Sequence, residues 1–145
     1  MLRRQKATLF ENVQLSACNH VTMGIQFDDP KLVPSIIKKF KQEIVGLNIR
    51  YENGYFIERN KHINAIQLPK VDDLKSLTQY VVYHSKPNHE EACGELYYND
   101  NSIILRLNHA LADGKYLVGI LDHISDSPKM LDKPFPTDFV SEFAH

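Results

Sequence analysis

One short run combines residue types that could move a proton: His109-Ala110-Leu111-Ala112-Asp113-Gly114, an H-x-x-x-D-G pattern. A histidine at the mouth of a strand can serve as a general base near neutral pH. An aspartate four residues later can brace the corner without touching a substrate. A glycine beside it lets the chain turn with positive φ, or lets two backbones approach closely. Isolated, the pattern is weakly specific, and a histidine that ends a strand and bonds to backbone is its ordinary reading. Its context sharpens it: Ile103–Leu107 reads as an apolar strand, and Tyr116 to about Ile124 as an apolar helix, so the pattern occupies a strand–corner–helix junction.

Other reactive side chains carry less. His84, His89 and Cys93, with Glu90 and Glu91, match no standard zinc spacing and fall on a helix end, a loop and a strand, so no metal is expected. Tyr51, Tyr55, Tyr97 and Tyr98 read as strand formers with one polar end in water. Lys38, Lys39 and Lys41 read as the solvated face of a helix. Cys18 and Cys93 lie far apart and form no C-x-x-C, which suggests reduced thiols and a cytoplasmic protein.

The elements that must position the corner follow from periodicity. Val21–Phe27 alternates and reads as a half-buried strand. Asp29 and Pro30 suit the N-cap and first position of a helix over about 30–45, with Leu32, Ile36, Ile37, Phe40 and Ile44 as its apolar stripe and Gly46 at its exit. Residues 47–51 and 55–59 flank Asn53-Gly54, a strong hairpin signal. A strand over 63–68 ends at Pro69, and Asp72 or Asp73 begins a helix carrying Leu74, Leu77, Tyr80, Val81 and His84. Residues 91–98 and 102–107 form a second hairpin around Asn99-Asp100-Asn101. Residues 1–12 are polar and basic, and 126–145 read as an irregular tail. The order β-α-β-β-β-α-β-β-α predicts an α/β fold of the α+β kind: a two-layer sandwich with one mixed, mostly antiparallel sheet and helices on one face. At 145 residues with net charge −1, this is one domain with no basic face for nucleic acid, no secretory leader and no apolar run long enough for a membrane span.

Together, Asn108-His109-Ala-Leu-Ala-Asp113-Gly114, the hairpin Cys93–Leu107 leading into it, the helix after it, and the helix 30–45 followed by Leu47-Asn-Ile-Arg-Tyr51 resemble the chloramphenicol-acetyltransferase-like superfamily of CoA-dependent acyltransferases over roughly residues 15–125. The resemblance implies acyl transfer from a CoA or acyl-carrier thioester to a small-molecule hydroxyl or amine, with His109 as general base. It implies a structural role for Asp113, held by an arginine, and no tightly bound cofactor. The family's motif is H-H-x-x-x-D-G, and Asn108 stands at the first histidine. The arginine aligns near Asn48, and Arg50, on the same side of that strand, is the nominated replacement. Family members build the site between two lobes or between subunits, and this chain covers one lobe. Self-association or a second lobe is therefore the expected partner. A non-catalytic lobe that binds a protein or ligand is the alternative.

Overall fold

A computed structural model describes residues 2–70, 73–126 and 131–135. The elements run β1 (Arg4–Lys6), α1 (Leu9–Ser16), β2 (His20–Gln26), α2 (Leu32–Glu43), a short 3₁₀ turn (Val45–Leu47), β3 (Ile49–Glu52), β4 (Tyr55–Glu58), β5 (Ile66–Gln67), α3 (Leu74–His84), β6 (Gly94–Tyr98), β7 (Ser102–Asn108) and α4 (Gly114–Asp126). The α+β class is as expected. The single sheet is not: the strands form two sheets, ordered β1-β4-β3 and β2-β7-β6-β5. The Asn53-Gly54 hairpin forms, with φ of 51° and 84° at its two central residues. Its third strand, however, comes from the polar N-terminus, where Arg4, Gln5 and Lys6 pair with Ile57, Phe56 and Tyr55. Such a three-residue pairing leaves no local hydrophobic pattern to read.

The helices also lie on both faces of the larger sheet rather than on one. Val33, Ile36 and Phe40 of α2 and Leu117 and Ile120 of α4 pack with Met23, Ile25, Ile103, Leu105 and Leu107 in the main core. On the opposite face, Leu77 and Val81 of α3 pack with Tyr97 and Ile104. This explains the unbroken run Ile103-Ile104-Leu105, all fully buried: a central strand covered on both sides needs no alternation. α3 comes close over β2, where a Cβ at Gly24 would sit 2.7 Å from Thr78 Oγ1 and 3.0 Å from Leu74 Cδ1.

Several boundaries shift for local reasons. α2 begins two residues later than Pro30, because Asp29 instead closes a turn, its Oδ1 accepting from Lys31 N at 3.0 Å. The strand expected over 63–68 shrinks to Ile66–Gln67, parallel to β6. Asp73 caps α3, accepting from Ser76 N at 2.7 Å, while Asp72 lies outside the described residues, as does the tail over 127–130 and 136–145. Among the described residues no helix is long and apolar enough to cross a membrane.

Candidate functional site

The corner is fixed from below by its own apolar residues. Ala110, Leu111 and Ala112 are fully buried. Ala110 and Leu111 join Leu15, Val45, Ile49, Phe56 and Cys93 in the core between the small sheet and α1, and Ala112 joins the main core. The three central positions of H-x-x-x-D-G are thus a wedge driven between two cores, and His109 and Asp113 are its two shoulders. Asn108 sets the wedge. Its amide N–H donates to Cys93 O at 2.9 Å, its Oδ1 accepts from Ala110 N at 2.9 Å, and its carbonyl accepts from Leu111 N at 3.0 Å. An Asx-turn of this kind is a backbone device, which a histidine could not make in the same way.

Asp113 braces the corner as a helix cap. Its Oδ1 accepts from Tyr116 N at 2.8 Å and its carbonyl from Leu117 N at 3.2 Å, so α4 starts on it. The nominated arginine does not reach it: Arg50 Nη1 donates to Glu52 Oε2 at 2.8 Å on the small sheet. Asn48, where the resemblance would put the arginine, closes α2 instead, donating to Lys41 O at 2.9 Å and Ile44 O at 2.8 Å. Gly114 needs neither of the freedoms expected of it. Its φ is not positive, and an added Cβ would meet nothing within 4 Å. It is the first residue of α4.

His109 is half-buried, and its amide N–H donates to Asn19 O at 2.9 Å. Among the described residues its Nδ1 is buried without a hydrogen-bond partner, so nothing at that nitrogen selects the tautomer. Clefts of about 430, 300 and 610 Å³ open elsewhere on the surface, and His109 lines none of the three.

The segment that receives His109 is the end of α1. Cys18 N donates to Leu15 O at 3.1 Å and Asn19 N to Gln14 O at 3.3 Å, with Cys18 at φ 54°. This is a Schellman motif, with a cysteine where glycine is usual. It delivers the Asn19 carbonyl to His109 and the Cys18 carbonyl to His20, whose Nδ1 lies 2.8 Å away. His20 stands directly opposite Asn108 in the β2–β7 register. Arg106 and Glu95 pair across β7 and β6 on the same sheet face. Arg106 Nη1 donates to Ser85 Oγ, while Arg106 Nε and Glu95 Oε1 are buried without partners. Burial, chiefly, holds the His20 pKa below its ordinary value, and the charge of Arg106 acts the same way. Burial and then the Glu95 charge push the Tyr97 hydroxyl up to about 12, so it stays protonated. Burial pushes the Cys93 thiol far up, which removes it as a nucleophile.

Sequence reasoning missed His20, Glu95 and Arg106. Each is a polar residue on a strand of the larger sheet, but only the sheet order brings the three strands side by side. Among the described residues no three His, Cys, Asp or Glu side chains converge to hold a metal. Neither the protein-family models nor the curated proteins include a match to this chain.

Proposed function

We propose that this chain is an acyltransferase-like lobe of the HxxxD type, carrying half of a site that a second lobe or a second copy completes. The observation that supports it best is the wedge. The buried Ala110-Leu111-Ala112 holds the backbone rigid while the His109 side chain stays half-buried at the surface, its Nδ1 without a hydrogen bond. In the reaction, His109 takes the proton from an acceptor hydroxyl or amine as that atom attacks the carbonyl of an acyl-CoA or acyl-carrier thioester. The tetrahedral intermediate collapses with loss of the C–S bond, and the imidazolium returns its proton to the leaving thiolate. General-base help of this kind is typically worth ~10²–10⁴ in rate. The free cysteines suit a reducing, cytoplasmic setting.

The need for a second wall rests on α1. Its inner side packs Leu15 beside Ala110 and Leu111, while Leu9, Phe10 and Val13 are 82%, 59% and 56% exposed. Surface helices ordinarily turn charge outward, so an apolar outer stripe beside the corner suits a covered face. The second reading, a non-catalytic lobe, is favoured by one specific observation: His109 lines none of the three clefts described above.

The test is thiol release from acetyl-CoA and longer acyl-CoAs with mixed alcohol and amine acceptors, run on the wild-type chain and on His109→Ala. Solution mass is measured on the same samples. Release that the substitution abolishes, from a folded oligomer, supports the transferase. Absence of release from every sample sinks the stand-alone enzyme and leaves a non-catalytic lobe or a half-enzyme that needs its second lobe.

A further inference from the structure

We infer that His20 is a second proton acceptor at this corner, with Nδ1–H locked on the Cys18 carbonyl and Nε2 left open beside Asn108. The inference rests on the acyl-transfer reading for its role and on geometry for its identity.

A carbonyl oxygen only accepts, so the 2.8 Å contact between His20 Nδ1 and Cys18 O puts the proton on Nδ1. The neutral ring then carries its lone pair on Nε2, which makes no hydrogen bond among the described residues. This arrangement suits a general base, since one nitrogen is held by a fixed acceptor and the other is free to take a proton. His109 lacks it, because its Nδ1 is buried without a partner. The acceptor for His20 is also rigid. The Cys18 carbonyl belongs to the Schellman turn that closes α1, and the next carbonyl, of Asn19, accepts the His109 amide. One turn therefore places both histidines.

The groups that act on the ring favour the neutral form on balance. Burial is the largest influence, with Arg106 and His89 lowering the pKa further, against the Cys18 bond and Glu95, which raise it. A ring that is uncharged at neutral pH is ready to accept. In acyl transfer, His20 Nε2 would take the acceptor's hydroxyl or amine proton in place of His109, as the acceptor's oxygen or nitrogen bonds to the thioester carbonyl. The imidazolium would then return that proton to the thiolate released by C–S cleavage.

The experiment has two arms, both on the full chain. Long-range ¹H–¹⁵N correlation spectra of ¹⁵N-labelled protein, titrated with pH, report the tautomer and pKa of each histidine without any substrate. The expected result is a Nδ1–H tautomer for His20 with a pKa below the ordinary histidine value. A Nε2–H tautomer, or a raised pKa, overturns the inference. The second arm compares thiol release by wild type and His20→Asn, in which the amide N–H can still reach Cys18 O but no base remains. A loss of at least about 10²-fold, with the melting temperature retained, supports the role. Unchanged release overturns it. If wild type releases no thiol with any donor, stand-alone acyl transfer fails separately from the assignment of His20. Carbethoxylation by diethyl pyrocarbonate then decides the matter: modification of His20 ahead of His109 supports the open Nε2, and the reverse order overturns it.

Discussion

Replacing Asp113 separates two explanations of the H-x-x-x-D-G corner. If Asp113 acts as the N-cap of α4, Asp113→Ala removes one hydrogen bond, the 2.8 Å contact to Tyr116 N, and a negative charge at the helix N-terminus. The lost cap costs about 1 kcal/mol, and the charge–dipole interaction adds about 0.3–1 kcal/mol at an exposed site. The sum, roughly 1.5 kcal/mol, corresponds to a drop in melting temperature of about 3–6 °C for a chain of this size. Asparagine caps a helix about as well as aspartate, so Asp113→Asn keeps the cap and loses only the charge, about 0.3–1 kcal/mol. An ion pair between Asp113 and a buried arginine predicts otherwise. Both substitutions would then strand a charge and cost about 3–5 kcal/mol. Urea unfolding of wild type and the two variants, followed by far-ultraviolet circular dichroism, gives the comparison. Equal losses for the two variants, above about 3 kcal/mol, would refute the capping account and reinstate an arginine partner.

Three further outcomes follow from the packing. Cys18 holds φ 54°, a conformation that costs a residue with a Cβ about 1–2 kcal/mol, so Cys18→Gly should raise the urea midpoint by the equivalent of about 1 kcal/mol, and a lower midpoint would count against the Schellman turn. Gly24→Ala puts a Cβ 2.7 Å from Thr78 Oγ1 and should destabilise by about 1–3 kcal/mol through overpacking, with part regained in the Gly24→Ala/Thr78→Ala double variant; a neutral single substitution would show that α3 does not pack so closely on β2. The Asp73 pKa is lowered, chiefly by the backbone N–H and then the hydroxyl of Ser76, so its cap on α3 contributes fully above the unfolded value of about 4 and is lost as pH falls through the lower folded value. The urea midpoint of Asp73→Asn should therefore vary less than that of wild type between about pH 2 and 5, and parallel curves would count against this linkage.

Elements with strong local signals were legible in the residues. The Asn53-Gly54 turn, the Asp73 cap and the strand–corner–helix junction at His109 all stand where the pattern puts them. Each depends on neighbours within a few positions: a turn that needs positive φ, a carboxylate three residues ahead of an amide, an apolar run ended by polar residues. The apolar stripe of α2 was legible in part: Ile36, Phe40 and Ile44 are buried as expected, whereas Leu32 is exposed and Val33 enters the core in its stead.

What periodicity could not supply was partnership between distant segments. Arg4-Gln5-Lys6 has no strand pattern and becomes a strand only because β4 offers an edge. The same pairing detaches the hairpin into a sheet of its own. Arg50 lies on the predicted strand and on the nominated side, yet that strand belongs to the small sheet, where Glu52 holds it. Asp113 therefore braces the corner through a backbone amide. His20 lies one residue before the strand expected over Val21–Phe27. Its place opposite Asn108, against the Cys18 carbonyl and on one face with Arg106 and Glu95, is a product of strand order and of a turn at the end of α1. Local dihedral and burial preferences were enough to set the α+β class, the location of the histidine corner and most of its flanking elements. The division into two sheets, the helices on both faces, the capping role of Asp113 and the placing of two histidines by one turn arose only on folding, because they depend on which edges and faces meet.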